Sequence, residues 1–406
     1  MSKLGDHIAI TGMGSISPLG YSPDEVWQSY LRRESLLKPR LFNDEKVPVA
    51  SLQKPSEDIL KSIRIEETFH KHLDRTVLMA MHCAREAVEQ AGWDRSDGGS
   101  RTGVNIGSSR GATGLLEEAH DSYLRDPSRH VFPLTSPTTT LGNISSTVAH
   151  DIGASGPEFS HSVTCSSALH AVFNGIAWMR GGLADRFLVG GAEAPLTGFT
   201  VAQMKALRIY TSDVQSEYPS RPCSSETPLR DTMALGEGAA LFALEKLATA
   251  QLSDKKRSVL GVIESFGYGL ESPLTATSIS DDGLALRNAM TMALKGLAPG
   301  DGVDMIVLHA PGTIKGDSSE LNAIKIVFGG KFPVLVSNKW FVGHTFGASA
   351  ALSLEYALLI LSSEDYIDFP YPVAFENPRR PIRKIMINAA GFGGNAASLI
   401  VSKPTA

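Results

Sequence analysis

Short apolar runs alternate along the chain with longer stretches in which apolar residues recur every three or four positions. The runs at 8–11, 103–106, 187–189, 240–244, 259–263, 305–309, 334–336 and 385–388 suit buried strands. The stretches at 24–31, 72–90, 166–179, 283–295, 320–327 and 349–361 have helical spacing. Glycine and proline, 38 and 22 residues, punctuate these segments and are not gathered into a linker. Strands alternating with helices predict an α/β fold with largely parallel, buried sheets.

The same series of elements runs twice. An opening strand and glycine-rich loop at 8–15 has a counterpart at 259–269, and the strand and loop at 103–111 has one at 305–312. The loop and helix at 162–173 corresponds to 338–358, and the closing strand at 187–194 to 384–394. This predicts a duplicated unit, with one half over 1–255 and the other over 256–406. Two equivalent loop sets would then meet at one crevice, with reactive side chains supplied by both halves.

Composition narrows the class. The 406 residues exceed one ordinary core, in keeping with two halves. Lys and Arg number 38 against 43 Asp and Glu, a net charge of −5, and 20% of residues are charged. That balance excludes a disordered polyelectrolyte and a basic nucleic-acid binder. The opening residues carry no apolar stretch of secretory length, and the longest apolar region, 346–361, is interrupted by Glu355. No membrane span is expected, and a cytoplasmic location is. Cys83, Cys165 and Cys223 have no CxxC spacing, so neither a disulfide scaffold nor a zinc ribbon is expected.

Cys165 stands in Thr164-Cys165-Ser166-Ser167-Ala168, just ahead of a segment with apolar positions at Leu169, Val172, Phe173, Ile176 and Ala177. That puts a thiol at a helix N-terminus, where unpaired N–H groups and the helix dipole favour a thiolate. A lone cysteine so placed is more often a small buried hydrophobe. Two histidines change the reading. His309 ends a strand and enters the loop Ala310-Pro311-Gly312-Thr313, and His344 follows Gly343 directly ahead of a helix. Small neighbours let backbones approach closely, so both turns can present an imidazole to a cavity. The set is then one nucleophile and two imidazoles. As three zinc ligands it would lack a fourth at ligand spacing. Two other motifs compete. Gly107-Ser108-Ser109-Arg110-Gly111 is a GxSxG after a strand that would make Ser109 a hydrolase nucleophile, but Thr113-Gly114 intervene before any marked helix. Gly12-Met13-Gly14 lacks the third glycine of a dinucleotide loop.

Over almost its whole length the chain resembles the β-ketoacyl–acyl carrier protein synthases of the thiolase superfamily. The resemblance begins with Ile10-Thr11-Gly12-Met13-Gly14 and Pro18-Leu19-Gly20, and continues through 164–168, Gly190-Gly191-Ala192-Glu193, Ser220-Arg221-Pro222 and Gly236-Glu237-Gly238-Ala239. It then takes in His309, Thr313, Gly316-Asp317 and Glu320, Ser337 and Lys339, Gly343-His344, Gly347-Ala348, and Gly391-Phe392-Gly393-Gly394. It implies a five-layer αβαβα sandwich of two duplicated halves, usually dimeric. It further implies that Cys165 takes an acyl chain from the 4'-phosphopantetheine arm of an acyl carrier protein. The backbone N–H groups of Cys165 and Phe392 would hold the oxyanion. His309 and His344 would steady the enolate left when malonyl carrier protein loses carbon dioxide. Lys339 matches the family's structural lysine, paired with Glu320. Asp317 keeps its spacing from His309, and Phe392 matches the gate that admits the acyl chain. No bound cofactor and no metal are implied.

The chain also departs from the family. The common loop His-Gly-Thr-x-Thr reads His309-Ala310-Pro311-Gly312-Thr313 here, so of two threonines that contact phosphopantetheine only Thr313 is present. Pro311 brings neither a hydroxyl nor a backbone donor. Trp340, Phe341 and Phe346 crowd the His344 loop with aromatic bulk. These changes point to a pathway-specific synthase, extending polyene, aryl polyene or aromatic-primed polyketide chains, rather than the housekeeping fatty-acid enzyme. Carrier proteins are acidic, so Lys61, Arg64, Lys71 and Arg75 are candidate docking groups, equally readable as solvated helix charges. A homodimer is expected, with a heterodimer containing a chain-length-factor-like subunit as the other arrangement. The chain could itself be such a non-catalytic partner, but those typically lack the cysteine present here. A thiolase would need a second catalytic cysteine where 391–394 reads Gly-Phe-Gly-Gly.

Overall fold

The computed structural model describes residues 6–93, 101–128, 131–252, 254, 257–272, 275, 277–329 and 332–404. Its strands are β1 (Asp6–Ile16), β2 (Lys38–Phe42), β3 (Glu45–Ala50), β4 (Thr102–Gly107), β5 (Glu158–His161), β6 (Arg186–Glu193) and β7 (Leu235–Gly236). They continue with β8 (Gly238–Ala248), β9 (Gly261–Leu270), β10 (Met305–Val307), β11 (Val334–Val336), β12 (Lys384–Gly391) and β13 (Asn395–Ser402). Ten of them hydrogen-bond in the order β11-β10-β12-β13-β9-β1-β8-β6-β4-β5, while β2, β3 and β7 form a small side sheet.

That order is one topology written twice. From the outer edges inward, β5-β4-β6-β8-β1 and β11-β10-β12-β13-β9 match strand for strand. The senses match too. β4 runs parallel to β5 and β6, as β10 does to β11 and β12; β6–β8 and β8–β1 are antiparallel, as are β12–β13 and β13–β9. The duplicated series read from the sequence is therefore present, and all four paired segments fall on equivalent elements. The sheets are only half parallel, because a hairpin replaces a helical crossover at the end of each half. The two half-sheets join edge to edge where Ile8, Ala9 and Ile10 face Ile263, Val262 and Gly261. The expected boundary at 255/256 lies outside the described residues.

Helices complete the layers. Arg75–Gln90 and Asn143–Asp151 cover the outer face of the first half-sheet, and Leu284–Lys295, with Ile314–Phe328 beside it, covers that of the second. The equivalent helices Ser167–Arg180 and Ser349–Ser363 pack on each other between the half-sheets. The result is α/β/α/β/α, the expected five layers. Burial on both sides explains the apolar run of the second central helix. Phe346–Ser363 is long and apolar enough to cross a membrane, but 89% of it is buried inside the fold, so it is a core helix.

Differences from the predicted elements have local causes. The helix Ile314–Phe328 starts six residues before the predicted 320, because Thr313 caps it and its first turns are polar. Arg75–Gln90 starts after its N-cap Asp74, whose side chain accepts from Thr76 N, and not at 72.

Candidate active site

Thr164 is the sharpest point of the turn between β5 and the first central helix. Its φ of 49° lies in the left-handed region, which a β-branched residue adopts only when its surroundings hold it. Three contacts do so. Ser167 Oγ donates to Thr164 O at 2.6 Å and accepts from Val163 N at 2.9 Å, and Ser166 Oγ donates to Asn395 Oδ1 at 2.5 Å. Thr164 Oγ1 also reaches Phe392 O at 3.4 Å, and Asn395 Nδ2 donates to that same carbonyl at 2.9 Å. Gly391 makes this approach possible, since a Cβ there would lie 2.0 Å from Thr164 Oγ1. The turn carrying Cys165 is thus braced on the β12–β13 hairpin of the other half.

His344 occupies the equivalent turn of the second half, ahead of Ser349–Ser363. Gly343 makes the bend with φ 68°, and a Cβ there would meet Ala234 O at 2.7 Å. His344 N donates to that carbonyl at 2.7 Å. His309 follows β10, and its ring centre lies 5.4 Å from that of His344, edge-on at 81°. Cys165, His309 and His344 line one cavity of about 350 Å³. The three residues singled out from the sequence are brought together by the fold.

Glu320 takes a different part from the one expected. It accepts from the N–H groups of His309 at 3.0 Å and Ala310 at 2.7 Å, and from Asn388 Nδ2 at 3.0 Å. Lys339 Nζ instead donates to Leu308 O at 3.4 Å. The expected Lys339–Glu320 pair is therefore not a contact; Glu320 spends its oxygens on the backbone that carries His309, and the two charges act across space. Asp317 clamps the same loop, accepting from Gly312 N at 3.0 Å and Cys223 N at 2.7 Å. Thr313 lines the cavity while its hydroxyl accepts from Gly316 N at 3.2 Å as the helix cap. Phe392 also lines the cavity, with 41% of its surface exposed.

Burial dominates the electrostatics. It pushes the Cys165 thiol up to about 12, helped by the Glu193 carboxylate and opposed by Lys339 and Arg110. The thiolate expected from the helix start is overturned: Cys165 rests as a thiol, because desolvation outweighs the helix end. Burial and the Lys339 charge lower His344 to about 3 and hold His309 well below the usual imidazole range. Both rings are neutral, and His344 Nδ1 is buried with no hydrogen-bond partner. Burial lowers Lys339 to about 8, against the pull of Glu320.

One residue of the site carried no role in the sequence. Glu193, fully buried at the end of β6, accepts from Ser108 Oγ at 3.0 Å, Ser109 N at 2.6 Å, Arg110 N at 3.1 Å and Gly347 N at 3.0 Å. It ties the loop after β4 to the turn that follows His344. The signals were an acid closing a strand of small and apolar residues and its place in the family motif Gly190-Gly191-Ala192-Glu193, neither of which gave it a role. Its grip also disposes of Ser109 as a nucleophile: the Ser109 hydroxyl is buried without a hydrogen-bond partner, so no imidazole activates it. The proposed docking bases are mostly occupied. Arg75 is held by Glu57 at 2.5 Å and Glu237 at 2.8 Å, Lys61 by Asp58 at 3.0 Å, and Arg64 donates to the carbonyls of Lys71 and Leu73 at 3.2 Å. Lys71 alone of the four is exposed without such a contact among the described residues.

A duplicated sandwich with a cysteine at the head of one central helix and a histidine at the head of the other is the thiolase-type arrangement. Within that class the chain belongs to the β-ketoacyl synthase family: the family's N-terminal domain matches residues 5–250 and its C-terminal domain residues 260–366. Among curated relatives, 3-oxoacyl-[acyl-carrier-protein] synthase 2 of Coxiella burnetii is 28% identical over 98% of both chains. Two solved structures share the fold, each with a TM-score of 0.84, 22% identity, and coverage of 98% of this chain and 99% of theirs. They are the ishigamide ketosynthase/chain length factor and a type II PKS acyl-carrier protein in complex with its ketosynthase.

Proposed function

We propose that the chain is an elongating β-ketoacyl synthase, in which Cys165 carries the acyl chain and His309 and His344 serve the condensation. The observation that carries this reading is the single cavity holding a thiol and two neutral imidazoles with ring centres 5.4 Å apart. In the first step Cys165 Sγ attacks the carbonyl of an acyl-pantetheine thioester and the departing pantetheine sulfur takes up the thiol proton. The backbone N–H groups of Cys165 and Phe392 would receive the oxyanion, and the bracing of their turn and hairpin against each other supports that reading. In the second step malonyl carrier protein loses carbon dioxide, and its electrons pass to the thioester as an enolate. Neutral imidazoles suit that oxygen, since each can donate an N–H without first giving up a proton. The enolate carbon attacks the acyl carbonyl, 3-oxoacyl carrier protein leaves, and Cys165 sulfur recovers a proton from solvent.

Thr313, which lines the cavity with Pro311, would meet the pantetheine arm. Exposed Lys315 lines the same cavity and forms no ion pair among the described residues, which suits an acidic carrier protein better than the occupied bases near Arg75. The coarse assignment draws support from the family match and from a relative named for this reaction. A polyene or aryl polyene pathway remains the reading of the aromatic residues at the His344 turn, and a dimer is what the family resemblance implies.

Acyl- and malonyl-carrier proteins supplied together test the mechanism. Cys165→Ala should abolish acyl transfer while retaining malonyl decarboxylation. His344→Ala should slow condensation about 10²–10³-fold, measured as 3-oxoacyl product by mass spectrometry. A His344→Ala protein that condensed at the wild-type rate would remove the enolate role.

A further inference from the structure

The two histidines stand on separate loops of the second half, and one segment of the first half is strung between those loops. That segment, 231–236, meets the His309 loop at its start. Thr232 N donates to Gly312 O at 2.6 Å, and Thr232 Oγ1 donates to the same carbonyl at 3.2 Å while accepting from Arg221 N at 2.9 Å. Asp231 Oδ1 accepts from Ile314 N at 2.8 Å. Gly312 has φ 84°, and a Cβ there would come within 3.1 Å of Thr232 Oγ1, so glycine suits this close meeting of backbones. The other end of the segment, which forms β7, grips the His344 turn. Ala234 O accepts from His344 N at 2.7 Å, and Gly236 N donates to His344 O at 3.2 Å. Between the two ends, Thr211 N donates to Met233 O at 2.7 Å. Leu235 N donates to the Tyr210 hydroxyl at 3.1 Å, and that hydroxyl donates to Pro48 O at 2.8 Å. Thr232 and Tyr210 are buried, and their neighbours Ile209, Asp231 and Met233 line the cavity.

We propose that Thr232 and Tyr210 are positioning residues for the condensation, holding segment 231–236 as a spacer that sets how far apart the His309 and His344 rings stand. The proposal rests on the ketosynthase reading and adds the residues that tune its two-imidazole site. Both rings must reach one enolate oxygen, so their separation, 5.4 Å between centres, is a quantity the fold has to fix. Glu320 and Asp317 anchor the His309 loop to the helix Ile314–Phe328 of its own half. Segment 231–236 is hydrogen-bonded to both histidine loops at once. Without the Thr232 hydroxyl, Gly312 O keeps one of these two donors, and without the Tyr210 hydroxyl Leu235 N loses this acceptor. Cys165 is braced separately, through Ser166 and Asn395 on the β12–β13 hairpin, so the sulfur keeps its place in either case.

The test measures two half-reactions of wild type, Thr232→Val, Thr232→Ser and Tyr210→Phe. Intact-protein mass spectrometry follows acyl loading of Cys165 from an equimolar mixture of saturated acyl-pantetheine thioesters, butyryl to tetradecanoyl. Release of carbon dioxide from malonyl-pantetheine follows decarboxylation. In Thr232→Val and Tyr210→Phe the kcat of decarboxylation should fall about tenfold, with its KM and the rate of acyl loading within about twofold of wild type. Thr232→Ser keeps the hydroxyl and should recover most of the loss. A merely structural role would lower both half-reactions by one factor, through the folded fraction. That result, or wild-type decarboxylation in both variants, would overturn the spacer and leave the ketosynthase reading standing. Tyr210→Phe decides the matter if Thr232→Val fails to fold. Folded wild type that neither takes an acyl group nor releases carbon dioxide would overturn both.

Discussion

A thiol pushed up to about 12 beside imidazoles that stay neutral has a kinetic signature of its own. Below its pKa, Cys165 offers a thiolate fraction that grows about tenfold with each pH unit, and only the thiolate reacts with an alkylating agent. Alkylation of Cys165 by iodoacetamide, followed by mass spectrometry between about pH 6 and pH 9, should therefore climb without levelling. A plateau near neutral pH would show that the helix start governs the sulfur after all. The position of Cys165 before a helix was legible in the sequence; its burial was not, and burial decides its protonation. Lys339 and Glu320 repeat the lesson. Their types and spacing were visible, but not that the main-chain donors of His309 and Ala310 would claim the carboxylate first.

At the scale of elements, Glu193 is the joint between the loop after β4 and the turn after His344. Its partners Ser109 and Gly347 lie 84 and 154 residues away, so no local pattern could announce them. A carboxylate that accepts four hydrogen bonds cannot be replaced by an amide, which turns one acceptor into a donor aimed at other donors. Glu193→Gln should lower stability by about 2–4 kcal/mol, seen in urea as a lower midpoint with an unchanged slope. It should also slow acyl loading, because the Arg110 and Gly347 backbones, on the loop after β4 and the turn after His344, lose their common anchor. A variant as stable as wild type would show that water or a shifted loop replaces the carboxylate. Long periodic helices and apolar strands were readable for the reason that Glu193 was not: their signal is local. β5 carries Glu158, Ser160 and His161 at a half-exposed sheet edge, so it lacks the apolar run of a buried strand.

For the molecule as a whole, the two half-sheets meet along a three-residue strand contact, and the halves are further joined by the packed central helices and by side chains that cross between them. Ser166 to Asn395 and Glu193 to Gly347 are two such links at the site. A third lies away from it: Ser15 on β1 donates to Glu355 on the second central helix, 340 residues further on. Glu355 is fully buried, its second oxygen has no partner, and burial raises it from 4.5 to about 7. The sign of the linkage follows. The unfolded chain gives up this proton near pH 4.5, while the folded protein keeps it to about pH 7, so the folded state binds more protons across that window. This group's contribution is therefore fully present at low pH and is lost as pH rises towards 7. Glu355→Gln keeps the shape of the protonated acid and removes the titration. The variant should match wild type near pH 4.5 and gain on it up to about pH 7, reaching an advantage of at most about 3 kcal/mol. Urea unfolding at about pH 5 and about pH 8 measures the gap. An equal difference at both values would mean that Glu355 is already ionised and matched by a buried partner, and that the two halves are held across this point by a charge instead of a shared proton.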